Sequence, residues 1–333
     1  MNRSAHRAAL LAAALLTAGA LTAAPHTTGA ALAVPEPAQA HLRPEVYRLN
    51  GDPQDPQGSK FEGIGLDRRA GTFYVSETTG GEIHRGHLDA ARTSVWLPEG
   101  ADGRATARGI TVDRQGRVYI AGGPNSTQSG GPDLWVYSPG GRLLAALRVG
   151  VAEPFLNDVV IGPDGAAYVT NSNAPVIFRV AREHGRWRVQ TWADATGVIS
   201  TAAGFNLGGI VVSPDRSALV VAQGNLGRLW RFDLTTRAVS RVDVGDVALT
   251  DADGLVRHRR TLWVVRNFSR VLTRLHRAAD GSAARLGREE ATDPDRVFTT
   301  AKLAQGRLLL VDSHFDEPVG RPPYEVVALP VRR

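Results

Sequence analysis

Residues 157–171 read NDVVIGPDGAAYVTN. A short apolar run enters a Gly-Pro-Asp-Gly turn, and a β-branched and aromatic run leaves it. That order describes two antiparallel strands. Gly and Asp supply the turn conformations, and Val, Tyr and Thr suit a pleated surface. The phrase has five counterparts: EGIGLDRRAGTFYVSE from Glu62, RGITVDRQGRVYIAG from Arg108, GGIVVSPDRSALVVAQ from Gly208, DGLVRHRRTLWVVRN from Asp253 and TAKLAQGRLLLVDS from Thr300. Successive starts lie 46, 49, 51, 45 and 47 residues apart, a spacing that marks a repeat architecture.

Each repeat continues into a third strand: GEIHRGHL from Gly81, DLWVYS from Asp133, VIFRVA from Val176, RLWRFDL from Arg228, VLTRLHR from Val271 and YEVVAL from Tyr324. Weaker fourth strands follow in four repeats, namely SVWLPE from Ser94, LLAALRVG from Leu143, VQTWAD from Val189 and VSRVDVG from Val239. No segment between them has the length or periodicity of a crossover helix, which argues against a parallel α/β sheet. Four short antiparallel strands per repeat make a propeller blade. The sixth repeat ends near Pro330 without a fourth strand, and residues 44–49 (PEVYRL) can supply it, closing the ring and covering its edges. The chain is therefore expected to be all-β, a six-bladed β-propeller of four-stranded antiparallel blades over residues 44–333.

Composition bounds the rest. Of 333 residues, 43% are hydrophobic and 22% charged, as in ordinary folded proteins. Arg3 and Arg7 precede an uncharged run over residues 8–24, which reads as a general secretory signal peptide; cleavage after Ala24, Ala30 or as late as Ala40 fits. Residues 25–43, rich in Pro, Ala and Thr, read as a flexible leader. A secreted protein with no membrane anchor is expected, acting as a monomer. Cysteine is absent, so thiol catalysis and zinc–thiolate sites are excluded. The net charge of +6 comes almost wholly from Arg dispersed among acids, which gives no support to nucleic-acid binding.

In an up-and-down blade the first residue of the inner strand and the last of the second strand lie at one end. Glu62, Arg108, Asn157, Gly208, Asp253 and Thr300 should thus ring one channel mouth, joined by Asn171, Gln223, Asn225, Asn267 and His314. Glu62, Asn157 and Asp253 offer two carboxylates and an amide oxygen, a set that suits a hard divalent cation. Arg108 is a candidate for binding an anionic substrate or for pairing with Glu62 or Asp253. His314 is a candidate base, ligand or substrate contact.

The phrases FEGIGLD, LNDVVIGPDG and DADGLV, in this order and spacing, resemble the gluconolactonase/regucalcin (senescence marker protein, LRE-like) family. The resemblance covers roughly residues 45–330. It implies a six-bladed propeller with one divalent cation at the channel mouth, Ca²⁺ in first place and Mg²⁺, Mn²⁺ or Zn²⁺ as alternatives, and hydrolysis of a lactone or related ester. It assigns metal binding to Glu62 and Asp253, with Asp253 also the general base. Asn157 becomes a contact to substrate or to the metal's water, with Asp158 beside it. Two positions depart from the family pattern. Its metal-binding asparagine is replaced by Gly208, leaving Asn206 as the nearest substitute ligand, and an arginine found in some lactonases is Phe155. These losses keep open a non-catalytic propeller that binds a small molecule or partner, and a metal-free pocket like that of the strictosidine synthase-like propellers.

Overall fold

The computed structural model describes residues 43–52, 54–123 and 130–331. The signal-peptide and leader expectations fall almost entirely on residues outside this range. Each quoted repeat forms a four-stranded antiparallel sheet, and six such sheets make the propeller. In the third blade the strands are Leu156–Ile161, Ala167–Asn171, Val176–Glu183 and Arg186–Asp194, paired in chain order. The sixth blade takes its outer strand from the start of the fold: Val46–Arg48 pairs antiparallel with Glu325–Pro330, matching Tyr47 to Val326. This is the closure expected from residues 44–49. Tyr47 is fully buried, and its hydroxyl donates to the Leu88 carbonyl of the first blade at 2.8 Å. Among the described residues no helix is long and apolar enough to cross a membrane.

The fifth blade also has a fourth strand, Ala284–Ala291, which the sequence pattern does not reveal. Most of its residues are exposed, so no apolar alternation betrays it. The core consists of interfaces between neighbouring blades. Tyr168, Ile177 and Trp192 of the third blade, for example, pack with Ile210, Leu219 and Phe232 of the fourth. Each fully buried side chain of this size contributes about 2 kcal/mol by leaving water, which lets a chain without disulfides hold together.

All six inner strands break register at their start, between Phe61 and Ile64, Ala107 and Ile110, Leu156 and Val159, Leu207 and Ile210, Ala252 and Leu255, and Phe298 and Ala301. A bulge of two residues recurs at the same level in each blade and re-aims their side chains. This corrects one position of the expected ring. The counterpart of Glu62 in the sixth blade is Thr299, not Thr300, because the sixth phrase begins one residue late. Hydroxyls in and just after the second strand of the third blade then staple it to the fourth at this level: Thr170 Oγ1 donates to the Gly208 carbonyl and Ser172 Oγ to the Leu207 carbonyl, both at 2.8 Å.

Candidate functional site at the carboxylate mouth

The bulges bring Glu62, Asn157, Asp158 and Asp253 to the wall of one cavity of about 10 Å³, together with Thr299 and Thr300. Residues almost 200 positions apart become neighbours because each occupies the same place in its blade. Space this close to the axis is scarce. At Gly209 a Cβ would be driven into the Asp253 carbonyl, so the second bulge position is glycine where the next blade's backbone approaches. Gly208 is different. A Cβ there would stand 3.7 Å from both Asn157 Oδ1 and Asp253 Oδ1, in ordinary contact with each. The two oxygens flank an open cradle at the position where the family resemblance expects an asparagine.

The electrostatics are those of crowded acids. Burial pushes the Glu62 carboxyl up to about 8; the Arg108 charge opposes this, while Asp253 and Asp158 add to it. Burial likewise raises Asp253 to about 7, against a hydrogen bond from Asn267 and with repulsion from Asp158. Asn267 Nδ2 donates to Asp253 Oδ2 at 2.9 Å and orients the carboxylate. Asp158 has a structural task as well. Its Oδ1 accepts from its neighbour Val159 N at 2.8 Å, and its Oδ2 from Ile210 N of the next blade at 3.1 Å. The Thr300 hydroxyl is buried without a hydrogen-bond partner. Two desolvated carboxyls, an amide oxygen, an open cradle and an orphaned hydroxyl together fit a hard divalent cation, with one protein ligand fewer than the family pattern.

Arg108 is buried, which lowers its pKa, while the Glu62 charge raises it. Its guanidinium lies over the Phe155 ring, 3.7 Å from the centroid. Phe155 in turn meets Phe205, 4.9 Å between centroids, and Phe205 is 60% exposed. A cationic and aromatic shelf thus stands beside the carboxylates.

Two expected site residues lie elsewhere. Asn206 is not a substitute ligand here. Its Oδ1 accepts from Ala202 N, Gln223 Nε2 and Asn225 Nδ2, and its Nδ2 donates to the Ser172, Ala202 and Gly204 carbonyls. Every polar group of that side chain ties down the 202–206 loop, and the residue lines a separate cavity. His314 is also outside the carboxylate cavity. Its Nδ1 lies 2.7 Å from Glu317 Oε1, its ring meets Tyr324 edge-on, and its backbone is left-handed, with φ of 58°.

Missed in the sequence are Thr299 and the positioning role of Asn267, and the sequence does not show that the Thr300 hydroxyl is left unpartnered. Unrecognised too was a cluster on the first blade, where ligand atoms of Glu77, Glu82 and His84 all lie within 4.8 Å of one another. His84 Nε2 stands 2.9 Å from Glu82 Oε1. Aligning the six bulges would have marked Thr299; nothing in the local sequence marks the others.

No family model matches the chain, and no curated protein sequence does either. Solved structures do. A calcium-binding regucalcin from Agrobacterium tumefaciens is 16% identical with a TM-score of 0.58, covering 86% of this chain and 96% of its own. A gluconolactonase from Xanthomonas campestris is 18% identical with a TM-score of 0.56, covering 81% and 86%. Virginiamycin B lyase from Staphylococcus aureus is 14% identical with a TM-score of 0.55, covering 86% and 88%. What they share with this chain is the fold. A lactonase and a lyase stand side by side among these neighbours, so function has to be argued from the site.

Proposed function

We propose that the carboxylate mouth belongs to a divalent-cation-dependent hydrolase acting on a lactone or related small ester. The observation that carries this reading is the convergence of Glu62, Asn157 and Asp253 on one cavity, with both carboxyls raised toward neutrality by burial. Those three residues would hold the cation, with Ca²⁺ the first expectation, as in the calcium-binding regucalcin that shares the fold. Bound there, a cation supplies polarisation of a carbonyl and a lowered pKa for water. Asp253, oriented by Asn267, is placed to take a proton from an attacking water, and its raised pKa suits a base working near neutral pH. Asn157 orients the substrate by its amide. Arg108, backed by Phe155, offers a guanidinium to a carbonyl or carboxylate oxygen. We propose further that the protein acts outside the cytoplasm, on the signal-peptide reading of residues 1–24, and that it acts as a monomer.

The test combines metal analysis with turnover. Purified protein is expected to carry one divalent cation per chain, to lose thermal stability in EDTA, and to hydrolyse some member of a lactone and aryl-ester panel. Asp253→Asn should lower kcat about a hundredfold or more. Absence of a stoichiometric cation together with an EDTA-insensitive Tm sinks the metal-dependent reading. A second reading, a binding propeller without catalysis, draws on Gly208 and on the exposed Phe205 beside Phe155. It predicts no turnover on the panel and ligand binding that survives Glu62→Gln and Asp253→Asn.

A further inference from the structure

The inner strands also end at the opposite mouth, and there the chemistry is reversed. A cavity of about 740 Å³ opens where these strands leave the channel, within the size range of small-molecule sites. Five arginines line it: Arg68 and Arg69 from the first blade, Arg114 from the second, Arg216 from the fourth and Arg257 from the fifth. None of the five forms an ion pair with a described carboxylate. Three of them donate to backbone carbonyls, Arg69 to Arg114, Arg216 to Pro163 and Arg257 to Ser213.

Three aspartates share the lining, but they are already engaged. Asp113 accepts from Arg117 Nε at 2.6 Å and from the Tyr119 hydroxyl, and Asp164 from Arg179 Nε and the Tyr168 hydroxyl. Asp67 closes its own turn by accepting from the backbone of Arg69 and Ala70. The positive charge is therefore left over, and its members oppose one another. Arg257 is exposed as a residue but partly desolvated where it lies, which lowers its pKa, and the charges of Arg216 and Arg68 lower it further. Arg277, on the third strand of the fifth blade, is 3% exposed with all three guanidinium nitrogens lacking a hydrogen-bond partner. Burial and then the Arg257 charge push it down to about 10. The five lining arginines are themselves exposed at the opening, so their charge is accessible to an anion from solution.

The shape of the opening narrows the anion. Guanidinium groups reach it from four blades, an arrangement that suits an oxyanion with several terminal oxygens and two charges better than a planar carboxylate. The same opening also has apolar lining from the ends of the inner strands, Leu66, Val112, Val160 and Val212. We propose that this opening is a second binding site, for a small phosphate monoester whose phosphate meets the arginines and whose apolar body enters between the inner strands. The site is independent of the hydrolase reading at the other mouth.

Calorimetric titration of the full chain with phenyl phosphate, at fixed ionic strength, neutral pH and in EDTA, tests it. Phenyl phosphate should bind saturably at one site, inorganic phosphate more weakly and phenol not at all. Arg216→Gln and Arg257→Gln should each weaken phenyl phosphate about tenfold or more, while Arg288→Gln, which removes an exposed pair with Glu290, should leave it unchanged. On the unaltered protein, phenyl phosphate should also shield Arg257 from phenylglyoxal, read by peptide mass spectrometry. No saturable binding, equal binding of phenol, unchanged affinity in both arginine variants, or no shielding of Arg257 would each overturn the proposal. So would binding that appears only without EDTA, which would place the phosphate at the carboxylate mouth.

Discussion

Glu62 and Asp253 give the carboxylate mouth its own pH dependence. Folded, they titrate near 8 and near 7, against ordinary carboxyl values of 4.5 and 3.8. Between those limits the folded chain holds more protons than the unfolded one, so stability is fullest at acid pH and falls as pH rises through the folded values. Each pH unit separating a folded from an unfolded pKa corresponds to about 1.4 kcal/mol. Chelated protein should therefore lose several kcal/mol at most from about pH 5 to pH 8, seen as a falling Tm in calorimetry. Glu62→Gln with Asp253→Asn should make the profile shallower, the rest of the slope coming from other buried carboxyls such as Glu77 and Asp133; an unchanged slope would contradict the desolvation of Glu62 and Asp253. Gly208 makes the complementary case. A Cβ at Gly208 meets Asn157 and Asp253 at ordinary contact distance, so Gly208→Asn, which adds an amide there, should tighten divalent-cation binding about tenfold, or 1.4 kcal/mol, by titration calorimetry.

The bulge at the start of each inner strand is the element that makes a site from a repeat. It turns two residues per blade out of the pleat and brings the next blade's backbone against the second of them. Gly208 and Gly209, adjacent in sequence, should therefore respond in opposite ways to the same change. Gly209→Ala pushes a methyl into the Asp253 carbonyl and should cost about 2 kcal/mol or more in urea unfolding, whereas Gly208→Ala should fall within about 0.5 kcal/mol of the parent. Equal effects would show that the bulges are not packed as described. The repeats themselves were legible because five of the six phrases share their starting position. The sixth was read one residue late because TTAKLA offers no Gly or acid to mark its bulge, and only the pairing of Phe298 with Asp312 and Ala301 with Leu310 places Thr299 in the ring. Ala284–Ala291 was illegible for a different reason, since an exposed outer strand needs no apolar alternation.

At the scale of the whole molecule, closure by Val46–Arg48 joins the two ends of the fold and buries Tyr47 against Phe73, 4.9 Å between ring centroids. Tyr47→Ala should cost about 3–5 kcal/mol and expose the edge at Glu325–Pro330, with a lowered Tm and a rise in light scattering. A variant that unfolds like the parent would mean that the ring does not depend on this strand. The two ends of the channel carry opposite charge, acids at one mouth and arginines at the other, and no local stretch of sequence announces this. Strand periodicity, turn residues and the spacing of the repeats are local properties, so the amino-acid sequence alone determined a six-bladed propeller and the strand that closes it. It also placed Glu62, Asn157 and Asp253 on one rim, since equivalent positions in repeats occupy equivalent places in a ring. Side-chain direction, desolvation and partnership depend on the neighbouring blade. The tertiary structure alone decided that Asn206 is consumed by its own loop, that His314 faces Glu317, and that Gly208 leaves a cradle. It alone gathered arginines scattered from Arg68 to Arg257 around one opening, because charge acts through space and the chain order of these residues carries no record of it.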